Sequence, residues 1–144
     1  MSWQFGRVDL NCTQYASDLD WTLLDPVPVE QIQTVYRDYC AHKHFYSVMP
    51  MLAGRLTAPG TEIIGYYDCG QLVAWSMYRI WDSSNILSDH FAWNYRNPKL
   101  RLGIRSFQNE CAIYRDRGFR YMYVESVEPY MYDIQGFQTL GPLE

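Results

Sequence analysis

The chain has 144 residues, 48% of them apolar and 17% aromatic, with thirteen tyrosines and a formal charge of −4. That length suits one domain, residues 1–144, with a core large enough to need neither disulfides nor metal. Cys12, Cys40, Cys69 and Cys111 are far apart and form no C-x-x-C or Cys/His run, which excludes the usual zinc spacings and suits reduced thiols in a cytoplasmic protein. Met1 to Leu10 lacks the apolar stretch of a leader. No apolar run approaches the roughly 20 residues of a membrane span, so no membrane partner is expected.

In chain order, Trp3 to Leu10 reads as a first strand. Asp25-Pro26-Val27-Pro28 breaks regular structure. Val29, Ile32, Tyr36, Tyr39 and Lys43 then recur at helical spacing and predict an amphipathic helix over 28–43. His42-Lys43-His44 at its end suits the negative pole of the helix. A short second helix is expected across Tyr46 to Ala53, interrupted by Pro50.

Glu62 to Tyr67 and Gln71 to Ile80 are rich in β-branched and aromatic residues, joined by Asp68-Cys69-Gly70. A third strand runs over about Asn85 to Tyr95, where Leu87, Phe91, Trp93 and Tyr95 alternate with Ser88, His90, Ala92 and Asn94. These strands form an antiparallel meander. Asn97 is then a plausible N-cap and Pro98 suits a first helical position. Leu100, Ile104, Phe107, Cys111 and Tyr114 make an apolar stripe that ends at Gly118. Arg120 to Val127 is a further strand, so strand, helix and strand make a parallel βαβ crossover.

Charge is uneven along this order. From Arg96 to Arg120 seven basic residues face only Glu110 and Asp116, about +5 locally, against about −9 elsewhere. The acidic bulk argues against DNA as a partner, while the local patch argues for an anionic ligand. Lys99, Arg101 and Arg105 stand in the first turns of the expected helix, where cations are unfavourable by up to about 1 kcal/mol each. Free amides there, with Gly103 permitting close approach, describe a phosphate or pyrophosphate cradle over Lys99, Arg101, Leu102, Gly103, Ile104 and Arg105.

The frame Leu100-Arg101-Leu102-Gly103-Ile104-Arg105 resembles the R/Q-x-x-G-x-G/A loop of the GNAT superfamily of N-acetyltransferase-like proteins. Gly103 matches the central glycine, Leu100 stands at the first position, and Arg105 replaces the last small residue. Gly65-Tyr66-Tyr67-Asp68-Cys69-Gly70-Gln71-Leu72-Val73-Ala74 is similar to the family's hairpin turn, and Tyr132-Asp133-Ile134-Gln135-Gly136-Phe137 to its Y-x-x-x-G-F ending. The resemblance implies an α/β, GNAT-like mixed sheet, a meander followed by the parallel crossover, with helices on both faces. It implies acetyl-CoA or another acyl-CoA as co-substrate, held at Lys99 to Arg105, and Tyr132 as the acid that returns a proton to the coenzyme thiolate. The acceptor is then a small-molecule or peptide amine.

Acyl transfer to an amine also needs a base. Asp89 and His90 lie mid-strand and, by alternation, on opposite faces, so only one can meet substrate; Asp89 interrupts the apolar odd-numbered face. Glu125 is a further candidate. The C-terminal half also resembles tRNA-dependent aminoacyl transferases, an alternative to the acyl-CoA enzyme, and a non-catalytic interaction module of the same fold is a third. Only Gln138 to Glu144 follow Phe137, too few for a closing hairpin, so an open sheet edge and a homodimer are expected.

Overall fold

The computed structural model describes residues 5–44, 51–94 and 101–140. Its strands are β1 (Gly6–Asp9), β2 (Trp21–Leu23), β3 (Thr61–Asp68), β4 (Gln71–Ile80), β5 (Asn85–Trp93), β6 (Tyr121–Val124) and β7 (Phe137–Thr139). The helices are α1 (Val29–Lys43), α2 (Met51–Leu56) and α3 (Leu102–Asp116), with 3-10 turns at Leu10–Cys12 and Pro129–Asp133. The strands form one mixed sheet in the order β2-β3-β4-β5-β6-β1-β7, antiparallel throughout except for β5 against β6.

The meander follows local sequence. Cys69 and Gly70, both at positive φ (51° and 78°), make the two-residue turn from β3 to β4. This geometry matches the twist of the strands it joins. α1 lays Ile32, Val35, Tyr36 and Cys40 against Ile63, Trp75, Met77 and Ala92 on one face of the sheet. There the Trp75 indole donates to the Ile32 carbonyl at 3.2 Å. α3 covers the other face, burying Phe107, Cys111 and Tyr114 against Ile64, Tyr66, Tyr78, Ile86 and Met122.

α3 ends as its sequence predicts. Gly118 (φ 93°) lets its amide reach the Arg115 carbonyl and the Phe119 amide the Tyr114 carbonyl, each at 3.0 Å. The rings of Tyr114 and Phe119 meet edge to face at 5.6 Å, closing the cap with an apolar contact. Its start differs from expectation. The helix begins at Leu102 rather than at Pro98, because Arg101 is left-handed (φ 49°) and turns the chain off the helical path. Asn97, Pro98, Lys99 and Leu100 lie outside the described residues.

The sheet is completed from an unexpected direction. β1 runs between β6 and β7, antiparallel to both, with Val8 opposite Met122 on one side and Phe137 on the other. The strand slot expected to be open beside β6 is therefore filled by residues from early in the sequence. The edges are β2 and β7, three residues each, short enough to offer little template for another chain. Between β6 and β7, Pro129–Asp133 makes a 3-10 turn.

Candidate functional site

The parallel ladder between β5 and β6 runs from Asn85 opposite Tyr121 to Ser88 opposite Val124, and stops there. On its other side β5 changes register against β4, from Tyr78 opposite Ser88 to Met77 opposite His90. Asp89 is the extra residue. Such a bulge bends its strand and increases the local twist, so β5 continues to Trp93 on β4 alone, and β5 and β6 part. The gap is walled by Ser88 and Phe91 of β5, Gly103, Phe107 and Glu110 of α3, and Tyr130 of the 3-10 turn, around a small void of about 20 Å³. Tyr39 of α1 reaches into the same region, its ring 4.8 Å from that of Trp93.

The bulge also corrects the strict alternation expected along β5. Leu87 and Phe91 fall on opposite faces, lining different cavities. Asp89 and His90, expected to diverge, both reach Arg55 of α2. Asp89 forms an ion pair with this guanidinium and keeps only 5% of its side chain exposed. His90 Nε2 lies 3.4 Å from Arg55 Nη1. A guanidinium only donates, so this nitrogen is the accepting one. Burial pushes the His90 pKa below its ordinary value and Arg55 adds to this, against the opposing pull of Asp89 and Glu125. Its neutral form is thus favoured, with Nε2 accepting from Arg55. Glu125 follows β6 directly, level with Asp89 in the parallel register, and is exposed.

On the α3 side stands a residue that sequence reasoning counted only as a charge. Glu110 is fully buried and accepts from the hydroxyls of Tyr66 (2.6 Å), Ser76 (2.7 Å) and Tyr78. Asn109 donates to Tyr66 Oη at 3.3 Å, completing the knot. Burial pushes the Glu110 carboxyl up to about 7, although all three hydroxyl donors favour its ionised form. A signal was present: Phe107, Glu110 and Tyr114, spaced three and four apart, place this one acid on the apolar stripe.

The helix entrance carries the first-turn amides of Leu102, Gly103 and Ile104, which have no intrahelical partner, with no acid in that turn. Arg101 is exposed and Arg105 half-buried. A Cβ on Gly103 would meet the Trp93 ring at 3.4 Å, an ordinary contact, so packing there does not itself demand a glycine. Tyr132 is 58% exposed, with its ring edge-on to Phe137 at 5.6 Å. Tyr130, two residues earlier, packs on Phe107 and lines the gap with Glu110. Nothing in the sequence separates these two tyrosines, since only the 3-10 turn decides which points inward. Among the described residues no group of His, Cys, Asp and Glu is placed to hold a metal, and no helix is long and apolar enough to cross a membrane.

No protein-family model and no curated protein matches the sequence. Among solved structures, the fold is similar to that of yeast (Saccharomyces cerevisiae) N-myristoyltransferase with bound myristoyl-CoA, at TM-score 0.64 and 6% identity over 96% of this chain and 47% of that one. It is similar to the C-terminal domain (DUF2156) assigned to a lysylphosphatidylglycerol synthetase of Agrobacterium fabrum, at TM-score 0.64 and 11% identity over 88% and 48%. It is similar also to the aminoglycoside 6'-N-acetyltransferase of Enterococcus faecium, at TM-score 0.58 and 14% identity over 72% and 59%. The chain spans about half the length of the first two. At these identities the likeness is one of fold, and that fold is GNAT-like.

Proposed function

We propose that the chain is a GNAT-type N-acyltransferase that moves an acyl group from acetyl-CoA, another acyl-CoA or a related phosphopantetheine thioester to an amine. The observation that carries this reading is the parting of β5 and β6 at the Asp89 bulge. Beyond Ser88 the β6-side amides and carbonyls of β5 form a strand edge inside the molecule, and buried backbone groups need partners. An extended arm built of amides fits such an edge as an added strand does. Its phosphate end would meet the first turn of α3, where Leu102, Gly103 and Ile104 present amides and Arg101 and Arg105 supply charge, with Lys99 two residues earlier in the sequence.

A bound thioester supplies the electrophilic carbonyl. Glu125, beside the neutral His90, takes the proton from the acceptor ammonium, and Asp89 positions Arg55. The C–N bond forms as the C–S bond breaks, and a tyrosine hydroxyl returns a proton to the departing sulfur. Tyr132 holds that role by the resemblance, while Tyr130 lines the gap; comparing Tyr132→Phe with Tyr130→Phe assigns it. Calorimetry with acetyl-CoA and longer acyl-CoAs tests the whole reading, which no heat from any of them removes.

Glu110 favours a second reading, aminoacyl transfer from charged tRNA to a small-molecule or peptide amine. A transferred group carrying its own ammonium would face a carboxylate on the inner wall of the gap. The net charge of −4 leaves little surface for an RNA footprint. Unchanged tRNA mobility in a low-salt gel shift disposes of it. Should Arg105→Ala and Tyr132→Phe both leave the measured function intact, the fold serves as an interaction module. All four cysteines are free thiols, the ground for proposing a cytoplasmic location. A homodimer formed through a sheet edge would use the short outer strand β2 or β7, and light scattering at high concentration decides it.

A further inference from the structure

Glu110 faces two ways. Behind it is the knot of hydroxyls, and in front is the void that it lines with Ser88, Ser106 and Tyr130. Ser88 stands on the last rung of the ladder before β5 and β6 part, so this void opens toward the place of the proposed reaction. At about 20 Å³ it has room for one water, and its walls carry polar groups to hold it.

The knot is built to keep a proton or to release it. Glu110 Oε2 accepts from Tyr66 and Ser76, whereas Oε1 accepts from Tyr78 alone among the described residues, which leaves Oε1 a lone pair for a proton. Two of the donors have a second acceptor at hand. Tyr66 Oη lies 3.1 Å from the Ser106 carbonyl, and Tyr78 Oη 3.7 Å from Met122 Sδ. When the carboxyl is neutral and accepts less strongly, both hydroxyls can turn to these partners and neither is stranded.

Charge links this carboxyl to Tyr130. The titratable groups that feel it are Tyr66 of β3, Tyr78 of β4, Cys111 and Tyr114 of α3, and Tyr130 of the 3-10 turn. Burial pushes all five up and the Glu110 charge adds to it, with Glu62 ahead of Glu110 at Tyr114. They are therefore neutral near pH 7, where Glu110 itself titrates. The Glu62–Arg117 ion pair stands beyond Tyr114, whose hydroxyl donates to Glu62 at 3.0 Å. A Tyr130 that gives up its proton beside an ionised Glu110 sets two like charges about one small void. Beside a protonated Glu110 it leaves only one, so Tyr130 is the stronger acid while Glu110 keeps its proton.

We propose that Glu110 is the proton store behind Tyr130: the tyrosine protonates the departing sulfur while the carboxyl, across the void, reprotonates the tyrosine. The C–S electron pair leaves on sulfur. The Tyr130 O–H breaks as the S–H forms, and the Glu110 O–H breaks as the Tyr130 O–H is restored. A carboxylate remains, and solvent returns its proton once the product has left. Glu110 touches no substrate and acts through Tyr130, so this role rests on the acyltransferase reading; the proton that Glu110 keeps does not. A donor that fills the gap also takes water from this carboxyl and favours its neutral form further, so binding draws a proton in.

The test begins with infrared spectra of the unliganded protein against pH. A buried carboxyl band should fade through pH 7 in the wild type and be absent from Glu110→Gln. Calorimetry of acetyl-CoA binding at pH 7, in phosphate and in Tris, should show the wild type taking up about half a proton more than Glu110→Gln. With acetyl-CoA as donor and hydroxylamine as acceptor, Tyr130→Phe and Glu110→Gln should each slow thiol release about tenfold or more, and the double variant no more than Tyr130→Phe alone. Equal proton uptake by Glu110→Gln and the wild type overturns the proposal, as does a double variant slowed by the product of the two single effects. Thiol release no faster than in buffer, with acetyl-CoA bound to the wild type, overturns it too. So does a carboxyl band that stays fixed with pH, a result read on the wild type even where Glu110→Gln fails to fold. A titrating band without heat from any acyl-CoA fails the acyltransferase and leaves the proton on Glu110; heat with equal uptake fails the store alone.

Discussion

Under α3 the sheet buries a carboxylate among hydroxyls, whereas on the opposite face, around Leu87 and Tyr123, it leaves aromatic rings at the surface. Both arrangements depart from the ordinary rule of apolar inside and polar outside, and in opposite senses. The buried knot has nearly every hydrogen-bonding group matched, so its departure specifies how α3 sits on β3 and β4. The opposite face gains nothing for folding from an exposed Trp81. A polar group can be kept in a core for stability once its partners are built, whereas an apolar ring left in water adds little to the fold.

The contrast breaks first at Glu110. Glu110→Ala strands three buried hydroxyls, and urea denaturation should show a loss of about 4 kcal/mol. A loss under about 1 kcal/mol means that water reaches the knot and that this face is not closed.

The pH dependence sharpens it next. Folding raises the Glu110 carboxyl from 4.5 to about 7, so the folded protein keeps a proton that the unfolded chain has already released. Stability from this group is full below pH 4.5 and is lost as the pH rises through 7. Relative to Glu110→Gln, the wild type should lose about 3 kcal/mol across that window. Three other carboxyls, Asp9, Glu62 and Asp82, run the opposite way in both proteins and cancel in the difference, Asp82 through hydrogen bonds from the Ser84 amide and the Asn85 side chain and amide. Asp9 is lowered by its hydrogen bond from Arg120. Glu62 is lowered because hydrogen bonds from Arg117 and Tyr114, with the Arg117 charge, outweigh the upward push of burial. A pH profile that is the same for Glu110→Gln and the wild type refutes the assignment.

Smaller effects are expected toward solvent. Arg117→Ala removes a two-point pairing to Glu62 at 2.7 and 2.9 Å and should cost about 1 kcal/mol, less at high salt. Trp81→Ala should change stability by no more than about 0.5 kcal/mol in the same denaturation assay. A larger loss would make Trp81 part of the core and end the distinction between the two faces.

Much of the frame was legible because it is written in local periods. α1, the β3–β4 hairpin with its Cys69-Gly70 turn, and the C-terminal stop of α3 at Gly118 all follow from spacing and turn chemistry. What escaped depends on distant partners. β2 and β7 are three residues long, and nothing in Trp21–Leu23 or Phe137–Thr139 marks a strand apart from β3 or β1 beside it. Arg101 begins α3 by a left-handed turn that its side chain does not advertise. The site suffered for the same reason. Asp89 was singled out from sequence, but its sharing of Arg55 with His90 comes from one extra residue in β5, which an alternating pattern conceals. Glu110 could have been seen as a lone acid on an apolar stripe; its three hydroxyl donors, on β3 and β4, could not.

The position of β1 bears on how the chain is made. During synthesis β1 leaves the ribosome before both strands that flank it, and Val8 waits for Met122 and Phe137. The meander of β3, β4 and β5 has its contacts close in sequence and can form first, whereas β1 must close loops of more than a hundred residues. Until β6 and β7 emerge, the hydrogen-bonding groups of β1 have no native partner, the condition under which nascent chains pair wrongly. Completion of the sheet is therefore a late event, and a nascent chain whose emerged part ends shortly before Tyr121 should hold a folded meander beside an unplaced first strand.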